Sequence, residues 1–285
     1  VVERPSSVVK ELIENSIDAE STSISLHIEK AGKQLIRIVD NGCGMSIEDA
    51  KICFQKHATS KVDSLDDLET ISSFGFRGEA LASISAISHV TLVTKQKDND
   101  LGIVIEHING SLSEPKETAC ASGTDISIKD LFYNTPARKK FLKQDETEWN
   151  QIQSLIYACC ISNLHIHFKL YRDGKMILNA PVANNSKDRA SQIWGHNFSE
   201  NLIELSVLDD NLKQNKYKPT ISGYTSNYNF WRYGRQQIFF FVNNRWVKNT
   251  ELSKALMKGY RQVLPPARFP ASFIFIDIEK SLVDI

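Results

Sequence analysis

The sequence predicts a mixed α and β chain made of two domains. Segments whose apolar residues recur at helical spacing, such as residues 6–19, alternate with short apolar runs rich in β-branched residues, such as residues 34–40. A chain of 285 residues with 41% hydrophobic content can bury a substantial core and favours two domains over one. The polar segment at residues 182–187 is typical of a linker. We therefore predict one domain over residues 1–185 and a second over residues 186–285.

The elements of each domain follow from this periodicity. In the first domain, the predicted helices span residues 6–19, 46–56, 79–87 and 145–160. The predicted strands lie near residues 23–29, 34–40, 89–96, 101–108 and 124–129, and a hairpin follows over residues 165–178. In the second domain, strands are predicted near residues 202–207, 217–225, 237–247 and 271–278, with a helix over residues 250–261.

Four short segments of the first domain carry side chains that suit a single nucleotide site. They occupy residues 10–15, 40–44, 58–61 and 75–81. Together they supply a carboxylate, a metal-binding amide, an acid that can recognise a base and a glycine-flexible loop for phosphate. This combination is what an ATPase requires.

The first segment lies on a predicted helix that begins after Pro5. At about 100° per residue, Glu11, Asn15 and Asp18 fall within about 60° of one another, beside the apolar stripe. A carboxamide oxygen there can ligate Mg²⁺, and a carboxylate can orient and deprotonate a water molecule. The alternative is an ordinary solvated helix face.

The second segment follows the strand predicted at residues 34–40. Asp40 ends this strand, where its carboxylate can project into a cleft and accept a hydrogen bond from the exocyclic amine of adenine. Gly42 and Gly44 would let the backbone approach a flat ligand closely. A plain turn is the alternative, because Asn41-Gly42 is a strong turn signal by itself.

The fourth segment places Gly75 and Gly78 directly before the helix predicted at residues 79–87. Backbone amides at a helix start bind phosphate with the help of the helix dipole. No Gly-Lys-Ser sequence of the Walker type occurs in the chain, which excludes an ordinary P-loop enzyme. A Gly-x-x-Gly sequence by itself is more often a simple loop than a phosphate site.

Composition argues against several other classes of protein. No apolar run is long enough to span a bilayer and no signal peptide opens the sequence, so we expect a soluble protein. The five cysteines lack paired Cys-x-x-Cys spacing, which fits a reducing compartment and argues against a zinc site.

Charge is distributed unevenly along the chain, although the net charge is zero. Residues 1–185 carry 20 basic and 25 acidic side chains, whereas residues 186–285 carry 14 basic and 9 acidic ones. An excess of cations favours contact with nucleic-acid phosphates, and a solvated face is the plainer alternative. We therefore expect salt-sensitive, sequence-independent DNA contact. The candidate residues are Arg232, Arg235, Arg245, Lys248, Lys254, Lys258, Arg261 and Arg268.

The Glu-Asn helix, the Asp-x-Gly-x-Gly turn at residues 40–44 and the Gly-Phe-Arg-Gly-Glu-Ala-Leu sequence at residues 75–81 together resemble the GHKL ATPases. More narrowly, residues 1–5, 58–61, 75–85 and 131–138 resemble the MutL family of DNA mismatch-repair proteins, and the similarity runs through nearly the whole chain. The Phe-Tyr-Asn-Thr-Pro-Ala-Arg sequence makes the resemblance specific, since other GHKL members lack it. The resemblance implies an α+β fold: a Bergerat-type GHKL ATPase α/β sandwich, a mixed sheet with helices on one face, followed by a ribosomal-protein-like α+β domain.

The resemblance also implies roles for individual residues. Glu11 would be the general base for the hydrolytic water, Asn15 the Mg²⁺ ligand, and Asp40 the acid that recognises adenine. The other nucleotide-binding positions that it implies are Gly42, Gly44, Thr59, Ser60, Lys61, Arg77, Gly78, Glu79, Ala80, Leu81 and Thr124. For Thr124, a β-branched residue that simply enters a strand is an equally good explanation.

The function implied by the resemblance is that of an ATP-hydrolysing mismatch-repair matchmaker. ATP and Mg²⁺ would order residues 58–81, bring two protomers together as a homodimer or paralogue heterodimer, and alter contacts with DNA and a mismatch-recognition protein of the MutS type. The protein would be cytoplasmic in a bacterium and nuclear in a eukaryote. Two alternatives stay open: another GHKL enzyme, such as a topoisomerase ATPase half, and a non-hydrolysing, ATP-gated interaction module. The chain lacks an initiator methionine and stops before the family's Asn-x-His-Pro-x-Lys sequence, so we expect a fragment.

Overall fold

The computed structural model describes residues 2–55, 80–205 and 219–279. The chain divides into two compact units. Unit 1 consists of Val1–Leu155 and Ile166–Asn179, and unit 2 of Ile156–His165 and Ala180–Ile285. No helix in the described part of the chain has the length and apolar character needed to cross a membrane.

Unit 1 is built on a mixed β-sheet. Its helices are α1 (Pro5–Asp18), α2 (Ile47–Ile52), α3 (Ala80–Ser85), α4 (Pro136–Phe141) and α5 (Asp145–Ser162), the last of which continues into unit 2. Its strands are β1 (Ser23–Glu29), β2 (Leu35–Asp40), β3 (His89–Lys95), β4 (Gly102–Ile108), β5 (Ser111–Leu112), β6 (Lys116–Thr118), β7 (Gly123–Lys129), β8 (His167–Arg172) and β9 (Lys175–Ala180). Among the described residues the strand order is β5-β4-β3-β7-β2-β1-β8-β9, and β6 pairs with β4.

One face of this sheet forms the core of unit 1. In β1, Ile24, Leu26 and Ile28 are at most 1% exposed, whereas the serines and the histidine between them are half-buried. The same alternation continues in β2, β3, β7 and β8, because successive side chains of a strand point to opposite faces. β1 pairs in parallel with β8 and antiparallel with β2, which makes the sheet mixed as predicted.

Helix α1 buries the apolar stripe that the sequence predicted. Pro5 occupies the first turn, where its missing N–H is not needed, and Val8, Leu12 and Ile13 are at most 4% exposed. The helix covers Pro5–Asp18, against residues 6–19 in the prediction. α2 begins where Ser46 caps it by accepting a hydrogen bond from the Asp49 N–H, and it ends earlier than predicted.

Unit 2 is a second α and β structure. Its further elements are α6 (Ser186–Trp194), α7 (His196–Glu200), β10 (Leu202–Leu205), β11 (Thr220–Ser226), β12 (Ile238–Val242), β13 (Arg245–Val247), α8 (Thr250–Gly259) and β14 (Ser272–Asp277). The strand order in the described residues is β10-β11-β14-β12-β13. Its core contains Phe198, Phe239, Phe241 and Phe273, each at most 2% exposed.

Two local features of unit 2 differ from the predictions. Residues 182–185 of the predicted linker lie outside helices and strands, but helix α6 begins at Ser186, and its first turn is capped by the Asn185 side chain. This helix was missed because its polar residues include Arg189, which is fully buried and donates hydrogen bonds to the backbone carbonyls of Ala180, Pro181 and Leu164. The predicted strand at residues 237–247 is a hairpin of β12 and β13. Asn243 and Asn244 turn the chain with φ values of 47° and 65°, a conformation that asparagine tolerates well.

Candidate nucleotide-binding site

Three polar side chains form a row at one end of the sheet in unit 1. Asp40 at the end of β2 pairs in register with Thr124 of β7, and Thr124 pairs with Thr94 of β3. Each is an even number of residues from buried apolar residues of its own strand, such as Ile38 in β2 and Ile126 in β7, and therefore lies on the same face of the sheet as they do. The core face of the sheet therefore ends in a carboxylate and two hydroxyl groups.

Hydrogen bonds hold the Asp40 carboxylate in one orientation. Its Oδ1 accepts from the backbone N–H groups of Gly42 at 3.0 Å and Thr124 at 3.2 Å. Its Oδ2 accepts from the Ser16 hydroxyl on α1 at 2.8 Å. Burial raises the pKa of Asp40 above its ordinary value of 3.8, and these hydrogen bonds oppose part of that rise. The result is a fixed, partly desolvated acceptor.

The glycines after Asp40 allow the loop to lie against the rest of unit 1. A Cβ atom at Gly42 would lie 2.6 Å from the carbonyl oxygen of Ala19, at the end of α1. Gly44 has a φ of +68°, and a Cβ there would lie 2.2 Å from the carbonyl oxygen of Lys95. Both glycines are thus required by contacts with the protein itself. The Asn41 side chain supports this loop by accepting from the N–H groups that begin β1.

Glu11, Asn15 and Asp18, which we call the polar ridge of α1, lie on the same helix as Ser16, whose hydroxyl binds Asp40. Glu11 is half-buried and Asn15 is exposed, and neither side chain has a hydrogen-bond partner among the described residues. Asn15 directly precedes Ser16, whose hydroxyl binds Asp40. A carboxylate and a carboxamide one helical turn apart therefore lie on the same helix as the serine that binds Asp40.

Sequence reasoning missed two residues of this arrangement, Ser16 and Thr94. Thr94 is 1% exposed. Its hydroxyl donates a hydrogen bond to the Gly123 carbonyl at 3.0 Å and accepts one from the Met45 N–H at 2.9 Å. It also lies 3.2 Å from the Thr124 hydroxyl. Nothing in the sequence around Thr94 indicates these contacts, because they depend on the pairing of β3 with β7, which is distant in the chain.

Part of the predicted nucleotide site falls outside the described residues. The residues concerned are Thr59, Ser60, Lys61, Arg77, Gly78 and Glu79. Ala80 and Leu81 form the start of α3 and are half-buried. Within the described residues, no group of three or more His, Cys, Asp or Glu side chains is arranged to hold a metal ion.

The predicted DNA-contact residues of unit 2 differ in how they are held. Arg232 is half-buried: it donates to Gln237 and its guanidinium lies 4.0 Å from the Phe230 ring centroid. Burial lowers the pKa of Arg232. The Arg268 guanidinium lies 4.6 Å from the Trp231 ring and 4.3 Å from the Tyr233 ring. The remaining candidates are Arg235, Lys248, Lys254, Lys258 and Arg261, which are exposed, and Arg245, which is half-buried.

Two family models match the chain. Residues 3–126 match the model described as histidine kinase-, DNA gyrase B-, and HSP90-like ATPase. Residues 190–285 match the model described as DNA mismatch repair protein, C-terminal domain. The first match covers Asp40 and Thr124 together with α1, so the row at the sheet end belongs to an ATPase domain of this type.

Relatives of the chain carry the name DNA mismatch repair protein MutL. The protein from Chloroherpeton thalassium is 41% identical over 287 residues, covering 100% of this chain and 43% of the relative. That from Acidobacterium capsulatum is 37% identical over 302 residues, covering 100% of this chain and 45% of the relative. The chain therefore spans less than half the length of these relatives.

Solved structures agree with this relationship. The Aquifex aeolicus MutL ATPase domain complexed with ADP is 26% identical, with a TM-score of 0.70 over 98% of this chain and 93% of that chain. The ATPase region of Saccharomyces cerevisiae topoisomerase II, at 17% identity and a TM-score of 0.56 over 96% of this chain and 72% of that chain, shares the fold alone. These likenesses confirm the predicted GHKL ATPase fold. The chain belongs to the MutL family of DNA mismatch repair proteins.

Proposed function

We propose that this chain binds ATP with Mg²⁺ and hydrolyses it, as the nucleotide-driven part of a mismatch-repair protein. The observation that carries the proposal is the Asp40 carboxylate, held at the sheet end by donors from Gly42, Thr124 and Ser16. A fixed carboxylate can accept a hydrogen bond from the exocyclic amine of adenine without losing side-chain conformational entropy on binding. Family membership supports the same assignment.

Hydrolysis is assigned to the ridge of α1. Glu11 orients and deprotonates the attacking water in this proposal, and its half-buried position leaves the side chain accessible to solvent. The Asn15 carboxamide oxygen suits Mg²⁺, a hard cation that prefers oxygen ligands, and this side chain has no competing partner among the described residues. When bound, Mg²⁺ would neutralise phosphate charge.

The phosphate contacts are assigned by the family resemblance. Residues 59–61 would contact the nucleotide, residues 77–81 would bind its phosphates, and backbone amides near Gly78 would stabilise the charge that develops on them. We propose that binding of ATP and Mg²⁺ orders residues 58–81 and brings two protomers together, as a homodimer or with a paralogue. Hydrolysis would then reset that state.

Unit 2 is proposed to contact DNA. Between residues 219 and 276 the chain carries eight basic side chains and one acidic side chain, Glu251, which pairs with Lys254 at 2.8 Å. Such an excess of cations favours binding to phosphates through the release of counterions, without reading base sequence. A mismatch-recognition protein of the MutS type is the proposed protein partner, on the basis of the family alone.

Calorimetric titration of the intact protein tests the proposal. The probe is a non-hydrolysable ATP analogue with Mg²⁺, and turnover of ATP and the oligomeric state are followed in parallel. We expect heat of binding, a shift to dimer and slow phosphate release. Binding and dimerisation without phosphate release would favour the non-hydrolysing, ATP-gated module, and the absence of any heat of binding would contradict a nucleotide site.

A further inference from the structure

The hydroxyl group of Thr94 is fully engaged by its neighbours. It lies 3.0 Å from the carbonyl oxygen of Gly123, 2.9 Å from the backbone nitrogen of Met45 and 3.2 Å from the hydroxyl of Thr124. A hydroxyl group has one proton and two lone pairs, so three partners saturate it. Thr94 is only 1% exposed, so its hydroxyl is shielded from bulk water.

The chemistry of these partners determines the direction of each hydrogen bond. A carbonyl oxygen only accepts, so the single proton of Thr94 points to Gly123. A backbone N–H only donates, so one lone pair of Thr94 is taken by Met45. The second lone pair remains for Thr124, which must therefore donate its own hydroxyl proton to Thr94.

Thr124 consequently has lone pairs but no proton left for other partners. Its backbone N–H donates to Asp40 Oδ1, which places the two side chains side by side across paired strands. An ionised carboxylate also offers only acceptors. We propose that Thr94 is a positioning residue that directs the hydroxyl proton of Thr124 away from the base, so that Asp40 and Thr124 together present acceptors only.

This inference rests on the proposed nucleotide site and explains how that site would select its base. The 6-amino group of adenine carries two protons and can donate to two neighbouring acceptors. Hypoxanthine, the base of inosine nucleotides, carries an oxygen at the same position, which would face acceptors and leave them unpaired. Buried polar groups left without partners are the main source of strong discrimination between such analogues.

The test compares ADP with inosine diphosphate, because the two differ only at the purine edge. Affinities of both are measured by calorimetry with the intact protein and with Thr94→Val and Thr94→Ser. In Thr94→Val, the Thr124 proton is free to turn towards the base, so the preference for ADP should fall by about tenfold or more. Thr94→Ser keeps the hydroxyl and should retain the native preference.

Thr91→Val is the matched control, since Thr91 lies on the same strand with its side chain on the opposite face. It should leave both affinities unchanged. An equal loss of affinity for both nucleotides in Thr94→Val, with the preference intact, would show that Thr94 only supports the fold and would overturn the inference. If Thr94→Val does not fold, Thr124→Val takes its place: it removes the second acceptor, and an unchanged preference for ADP would again overturn the inference.

These outcomes are distinct from failure of the proposed function itself. If the native protein binds neither ADP nor inosine diphosphate, the nucleotide site is wrong. If it binds ADP with a preference that Thr94→Val does not alter, the nucleotide site stands and only the role of Thr94 is refuted.

Discussion

Replacement of Asp40 separates the role of its carboxylate in the fold from its role in binding. Asp40→Asn keeps the shape and one oxygen, which can still accept from the N–H groups of Gly42 and Thr124. The new amide nitrogen would face the Ser16 hydroxyl, which can reverse and accept. Asp40→Ala removes every acceptor. The two variants should therefore differ in stability but resemble each other in their loss of nucleotide affinity.

The magnitudes follow from the three donors that Asp40 satisfies. Each buried donor left without a partner costs about 1–3 kcal/mol, but the half-buried site admits water, so we expect about 2–4 kcal/mol in total for Asp40→Ala. For Asp40→Asn we expect about 1 kcal/mol, because its hydrogen bonds are kept in weaker, uncharged form. Both variants lose a charge-assisted hydrogen bond to the base, which corresponds to an affinity for ADP about ten- to a hundredfold lower.

Urea unfolding measures the first quantity and calorimetry with ADP the second. Asp125→Asn is the control, because Asp125 is the next residue after Thr124, faces the other side of the sheet and pairs with Arg37. It should leave ADP binding unchanged. If Asp40→Asn bound ADP as tightly as the native protein does, the assignment of Asp40 as the adenine acceptor would be wrong.

The remaining predictions concern pH, hydrolysis, DNA binding and stability. Burial raises the pKa of Asp40, so the folded state binds the Asp40 proton more tightly than the unfolded state does. The free energy of unfolding of the native protein, measured relative to that of Asp40→Asn, should therefore fall as the pH rises above 3.8. A rise over the same pH range would contradict this sign. Glu11→Ala should keep ADP binding and abolish ATP turnover in the intact protein, and unchanged phosphate release would remove its role as base. Charge reversal of Arg245 and Lys248 should weaken DNA binding and reduce the slope of log affinity against log salt concentration by about 2, as measured by filter binding at several salt concentrations. If the variant and the native protein bound DNA equally at every salt concentration, these residues would not contact DNA. Arg189→Met should destabilise unit 2 by about 2–4 kcal/mol in urea unfolding, since it removes the buried donor to the carbonyls of Ala180 and Pro181, and a loss below about 1 kcal/mol would refute that role.

Features that depend on neighbouring residues were predicted well. Helix α1 and strand β1 match their predicted positions closely, because the apolar period within about a dozen residues decides both. The position of Asp40 at the end of β2 follows from the same local pattern. The spacing of Glu11 and Asn15 on one ridge is likewise a property of the helix alone.

Local patterns failed where a residue's environment is supplied by distant parts of the chain. Helix α6 has a polar sequence, and its burial of Arg189 depends on carbonyl groups from β9 and from the two residues that follow α5. The hairpin at Asn243 and Asn244 interrupts an otherwise continuous apolar run, so periodicity alone predicted one strand. A pair of asparagines was the available turn signal there.

The sequence by itself determined the family resemblance, the mixed α and β class and the side chains available for a nucleotide site. The tertiary structure decided which of them meet. Asp40, Thr124 and Thr94 lie on strands that are distant in the chain and become neighbours only through the order β3-β7-β2, and Ser16 reaches Asp40 only after α1 packs on that sheet. Strand order and register are set by the burial of one whole face, so no short segment contains the information that places these four side chains together.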